Sequence, residues 1–117
     1  MITNNYPNYS NQRLQFCGKF EKEALTKLKK SSSKEIENCI DSCCKKIEEW
    51  TDKNTVIGLK QDNNKLSYFT LSNDSFGDKT VQLCFPKKDN ELIHALLSIT
   101  KTMLLSAEKF IKTGKNN

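Results

Sequence analysis

An α+β fold is predicted by three observations. The hydrophobic period changes once, from two to about 3.6, between residues 55 and 112. Three short alternating runs come first and a single apolar-rich helical run follows them. A further helical stripe stands directly before the alternating runs. The predicted order is α-α-β-β-β-α: an N-terminal helix or two, a three-stranded antiparallel meander, and a long C-terminal helix packed on the sheet.

Residues 1–11 are rich in Asn, Tyr and Ser and read as a flexible tail. A first helix is expected over 12–30, where Leu14, Cys17, Phe20, Ala24, Leu25 and Leu28 recur at helical spacing, with Gly18 as its weak point. The serines at 31–33 interrupt the pattern, and Ser32 with Glu35 three residues on has the form of a capping box. A second helix over 34–50 follows. Its apolar stripe is Ile36, Cys39, Ile40, Cys43, Ile47 and Trp50, and its opposite face carries Lys34, Glu37, Asp41, Lys45, Glu48 and Glu49.

Strands are expected over 55–60, 65–72 and 79–85, separated by turn signals at 61–64 and 73–78. In the third, Val81, Leu83 and Phe85 alternate with Thr80, Gln82 and Cys84, which predicts one buried and one wet face. Pro86 ends that strand, Lys87 and Lys88 follow, and Asp89 or Asn90 can cap the last helix. That helix reads as unbroken over 90–112. It is apolar over more than half its circumference, so one face covers the sheet. Ile93, Leu97 and Leu105 fall on a second face, which must meet the N-terminal helices or another subunit. Residues 113–117 read as a second flexible tail, leaving 12–112 as a single domain.

At 117 residues, with 36% hydrophobic and 28% charged residues, the chain can bury one small core. The formal net charge is +5, and Arg13 is the lone arginine beside the lysines. Lysine is a hydrated point charge without the guanidinium fork, so an anionic partner would be met through phosphate contacts and not through base readout. Residues 1–11 hold no apolar run of the secretory kind, and the stretch 92–105 is interrupted by His94, Ser98, Thr100, Lys101 and Thr102. The expectation is a protein with no membrane span. Five cysteines, three of them (Cys39, Cys43, Cys44) on one short helix, do not form a secreted disulfide framework. A reducing compartment, cytoplasmic or nuclear, fits them better.

No residue pattern here calls for catalysis. The four glycines are isolated, so no phosphate loop exists. His94 is the single histidine and lacks triad or metal partners, and a partly buried position in its helix, or one facing the sheet edge, is expected. Cys39 and Cys43 share a helix face but have no second thiolate pair, so they read as core residues and not as zinc ligands. The expectation is a non-enzyme without metal or cofactor.

Position makes the lysines informative. Lys60 and Lys65 flank the first hairpin turn, Lys79 opens the third strand, and Lys87 and Lys88 start the last helix. In a meander they can ring the wet sheet face, which would hold Ser67, Tyr68 or Phe69, Thr80 and Gln82. Lysines around hydroxyls and an aromatic ring suit a sugar-phosphate backbone. The candidate nucleic-acid-binding residues are therefore Lys60, Lys65, Tyr68, Lys79, Lys87 and Lys88. The α-β-β-β-α order resembles three nucleic-acid modules: the double-stranded-RNA-binding domain, the Alu-domain proteins of the signal recognition particle, and the YbaB-type nucleoid proteins. The run Phe85-Pro86-Lys87-Lys88-Asp89 is similar to the basic helix start of the first. That resemblance implies an RNA or DNA partner for this small basic protein, and the second apolar face of the last helix adds the expectation of a homodimer. The alternative is a protein-interaction module (adaptor, chaperone or inhibitor) that uses Leu97 and Leu105.

Overall fold

The computed structural model describes residues 17–30 and 32–114. The fold is α+β, with helices packed on a sheet that has four strands where three were expected. In chain order the elements are β1 (Lys19–Phe20), α1 (Lys22–Lys29), α2 (Lys34–Glu49), β2 (Thr55–Gln61), β3 (Ser67–Asn73), β4 (Thr80–Gln82), α3 (Leu92–Leu97) and α4 (Lys101–Thr113). Short 3-10 turns at Asp74–Phe76 and Asp89–Glu91 precede β4 and α3. The strand order is β1-β2-β3-β4, with β1 parallel to β2 and the other pairs antiparallel.

The added strand replaces the first part of the helix expected over 12–30, of which residues 12–16 lie outside the described residues. Only Lys22–Lys29 is helical. Before it, Gly18 N–H donates to Thr51 Oγ1 (3.1 Å) and Phe20 N–H donates to Glu48 Oε2 (2.9 Å). A Cβ on Gly18 would lie 2.8 Å from the Thr55 carbonyl oxygen, so only glycine lets the chain come this close. Two residues are too few to show an alternation, which is why the strand has no trace in the periodicity.

Helix α2 is as expected, with its cap one residue later: Ser33, not Ser32, accepts from the Ile36 N–H (3.2 Å). Its buried side is Ile40, Cys44 and Ile47, whereas Ile36 and Cys39 are exposed and Cys43 is half-buried. Cys44 is thus the core thiol of the cluster, and burial pushes it up to about 12.

Ile57, Leu59, Phe69, Leu71 and Val81 share one sheet face by register, and Leu83 continues it. The helices cover this face. Phe20, Leu28, Ile40, Ile47, Leu92, Leu96, Leu104 and Ile111 complete the core. The Phe20 and Phe69 rings meet edge to face at 6.4 Å.

The last helix is broken, contrary to the sequence reading. Ser98 Oγ donates to the His94 carbonyl (2.9 Å), and Thr100 is extended (ψ 161°) with its hydroxyl capping Met103 N–H (3.2 Å). Ser and β-branched residues are weak helix formers, and here their hydroxyls satisfy the backbone at the bend. The break buries Ile99 and lets α3 and α4 approach the sheet at different places. His94 lies on the exposed side of α3, not in the partly buried position expected of it. No helix among the described residues is long and apolar enough to cross a membrane.

Candidate nucleic-acid interface

The second sheet face carries no helix. By register it presents Lys19, Val56, Gly58, Lys60, Tyr68, Thr70, Ser72, Thr80 and Gln82. Of the two adjacent aromatics, Tyr68 takes this open face and Phe69 the core. Ser67 was expected on the wet face, but alternation turns it to the helix side, where it is fully buried and its hydroxyl bonds Lys27 Nζ (3.1 Å).

One end of the sheet gathers most of the candidate lysines. Lys60 pairs with Tyr68 across β2 and β3 and shares the open face with it, whereas Lys87 pairs with Ser67 at the other edge of β3 and so falls on the helix side. The backbone closes this bridge in both directions, with Ser67 N–H donating to the Lys87 carbonyl (2.8 Å) and Lys87 N–H to that of Ser67 (2.7 Å). Lys65 sits in the turn just before Ser67 with a left-handed backbone (φ 66°). That turn is held by Asp62 Oδ1, which accepts from the N–H groups of Asn64 and Leu66 (both 2.9 Å). Lys88 follows the bridge, and its N–H donates to Glu91 Oε1 (3.3 Å). Lys60, Lys65, Tyr68, Lys87 and Lys88 are therefore brought together. Lys79 is not: it precedes Thr80, which pairs with Ser72 at the far end of β3. Five residues of strand, about 17 Å, separate Ser72 from Ser67.

Two residues at this end escaped the sequence reading. Phe85 was placed in the core, yet it is 81% exposed. From Thr70 to Ser67 the chain takes three steps, but from its partner Gln82 to Lys87 it takes five. The two extra residues bulge out, and the Phe69 N–H points to Cys84 Sγ (3.4 Å) instead of a carbonyl. The bulge expels Phe85 into solvent beside the lysines. A shift of register cannot be read from alternation, and Pro86 was the one hint that pairing is disturbed here. The second is Lys27, which reaches Ser67 and also pairs with Asp89 (3.4 Å).

Among the described residues the ion pairs are Lys27–Asp89, Lys29–Asp41 and Lys112–Asp52. None engages Lys60, Lys65, Lys87 or Lys88. Asp62 and Glu91, the carboxylates at this end outside the Lys27–Asp89 pair, already accept backbone N–H groups. The Glu21 carboxylate lies over Gly58 beside Thr70 in the middle of the open face, and the opposite end is mixed in charge, with Glu23 and Asp74 beside Lys19 and Lys22.

Leu97 and Leu105 are exposed by 64% and 53%. Neither is covered by the N-terminal helices, and Ile93 is packed against the core. Leu97 borders a shallow depression with Cys39, Cys43 and Lys46, and Leu105 stands one turn from both Lys101 and Lys109 on α4. Among the described residues no group of three or more His, Cys, Asp and Glu side chains converges as a metal-binding cluster. No family model matches the chain, and neither a curated protein nor a solved structure matches it significantly.

Proposed function

We propose that this is a non-enzymatic nucleic-acid-binding module that grips RNA or DNA by its backbone at the Lys60–Lys65–Lys87–Lys88 end of the sheet. The observation that supports the reading is the unpaired lysine set at the end of the sheet where Tyr68 and Lys60 share the open face. Such a set supplies counterion release, and without arginine forks it carries little base selectivity. A cytoplasmic or nuclear setting accords with Cys39, Cys43, Cys44 and Cys84 remaining thiols.

Leu97 and Leu105 favour a second reading, a protein-interaction module or homodimer working through α3 and α4. Lysines interrupt both of those surfaces, so the sheet end is the better-formed site.

The test is a titration of mixed RNA and DNA oligonucleotides at several salt concentrations. Replacing Lys60, Lys65, Lys87 and Lys88 with Gln weakens binding to every sequence alike. Each lost phosphate contact shallows the log–log salt slope by about 0.7 to 0.9. The Lys79→Gln variant changes much less. A parent protein that binds nothing at low salt, or equal effects at the rim and at Lys79, rejects the reading.

A further inference from the structure

We infer that the strand gripped at this end is single-stranded, with Phe85 as the side chain that stacks on an unpaired base and Tyr68 as a second platform. The inference rests on the nucleic-acid reading above and names the form of its ligand.

Among the described residues Phe85 is the most exposed of the large apolar side chains. At 81% open the ring contributes little to the fold and leaves its face free to cover a flat partner. It is displayed by a device: the two-residue bulge between Gln82 and Lys87, locked at its far side by the paired Ser67–Lys87 bonds. Pro86 narrows the backbone choices on one side of the ring. The ring is presented on restrained backbone, so little order is lost when a flat partner covers it.

Lys87 follows Phe85 by two residues. Across β3 stands Tyr68, and beyond that Lys60. Tyr68 and Lys60 are direct cross-strand partners, and Phe85 lies in the bulge between the contacts that Leu83 and Lys87 make to the same strand as Tyr68. Two rings and several ammonium groups gathered at one end of the sheet suit a chain of bases and phosphates.

Single strand and duplex differ in what they offer such a ring. A paired base offers its face only to its stacked neighbours, and a ring on a sheet edge cannot reach it. An unpaired base offers that face freely. Nor is any helix positioned to enter a groove here, since all the helices lie on the other face of the sheet. Charge alone does not separate the two forms, because the lysines meet the phosphates of either. Stacking supplies the difference.

The experiment uses fluorescence anisotropy on the full chain with four probes of one mixed 12-nucleotide sequence: single-stranded RNA, single-stranded DNA, and the two duplexes. Each is titrated at low and at near-physiological salt. The expected result is tighter binding of the single strands than of either duplex, with the RNA and DNA arms reporting which sugar is preferred. Phe85→Ala weakens single-strand binding roughly 5- to 100-fold, the range of one lost base–aromatic stack, and leaves the salt slope unchanged. Phe85→Trp restores it, whereas Phe85→Leu, apolar without a stacking face, does not. Because Phe85 is open to solvent, circular dichroism of the variants matches the parent. Duplexes bound as well as single strands, or Phe85→Ala without effect, would overturn the inference while leaving backbone binding in place. No binding of any probe at low salt would overturn both.

Discussion

Glu108 Oε2 accepts a hydrogen bond from Thr55 Oγ1 (3.1 Å) and another from the Asp52 N–H (3.0 Å), so a carboxylate on the last helix holds the entrance of β2. Glu108 is only 5% exposed. Its counterpart on α2, Glu48, accepts from Phe20 N–H and holds β1. Two helix carboxylates thereby anchor the two strands at the β1 edge of the sheet.

Burial raises the Glu108 carboxyl above its ordinary value near 4.5, and the neighbouring Asp52 charge adds to the rise against the pull of its two hydrogen-bond donors. A carboxyl with a higher folded than unfolded pKa binds a proton more readily in the native state. Its contribution to stability is complete below the unfolded value and is lost as pH rises through the folded one. Urea denaturation followed by circular dichroism should therefore show stability falling as pH rises above about 4.5. Glu108→Gln should flatten that fall, leaving the part due to Glu48, whose pKa burial also raises. At neutral pH Glu108→Gln should stay within about 1 kcal/mol of the parent. Glu108→Ala should cost about 1–3 kcal/mol, because two donors lose their acceptor. Identical pH profiles for the parent and Glu108→Gln would contradict this account.

Gly18 and Gly58 should respond differently to alanine. At Gly18 a Cβ would press on backbone, 2.8 Å from the Thr55 carbonyl oxygen and 3.1 Å from that of Asp52. At Gly58 it would meet chiefly the carboxylate end of Glu21, an exposed side chain that can swing away. Gly18→Ala should lose about 1–3 kcal/mol, the usual cost of overpacking, and Gly58→Ala under about 1 kcal/mol. Equal losses in thermal or urea unfolding would mean that β1 is not held where Gly18 puts it.

The second functional reading makes its own demand on Leu97 and Leu105. If α3 and α4 form an interface, sedimentation of the parent at high concentration should show self-association, and Leu105→Glu should return it to monomer. Both leucines are exposed, so neither charge should change folding by more than about 0.5 kcal/mol. Nucleic-acid affinity should be the same in the Leu97→Glu and Leu105→Glu variants as in the parent. A parent that sediments as a monomer at every concentration counts against the interface.

Local pattern sufficed wherever a side chain's periodicity and its burial follow the same rule. Helix α2, the β2–β3 hairpin and the apolar side of the last helical region were legible because Ile40, Ile47, Ile57, Leu71, Leu104 and Ile111 recur at the spacing of the element that buries them. Lys60, Lys65, Lys87 and Lys88 could be grouped because a hairpin returns the chain to where it left. Contacts distant in sequence decided the rest. The β1 strand exists because Thr51 and Glu48 accept bonds from Gly18 and Phe20, and two residues have no period of their own. Lys79 was drawn to the far end by the direction of β4. The bulge that expels Phe85 depends on the Ser67–Lys87 pairing, which alternation along either strand cannot reveal. Periodicity records which face of an element is apolar, whereas register and strand order arise only when elements meet, because the hydrogen bonds that set them join residues far apart in the chain.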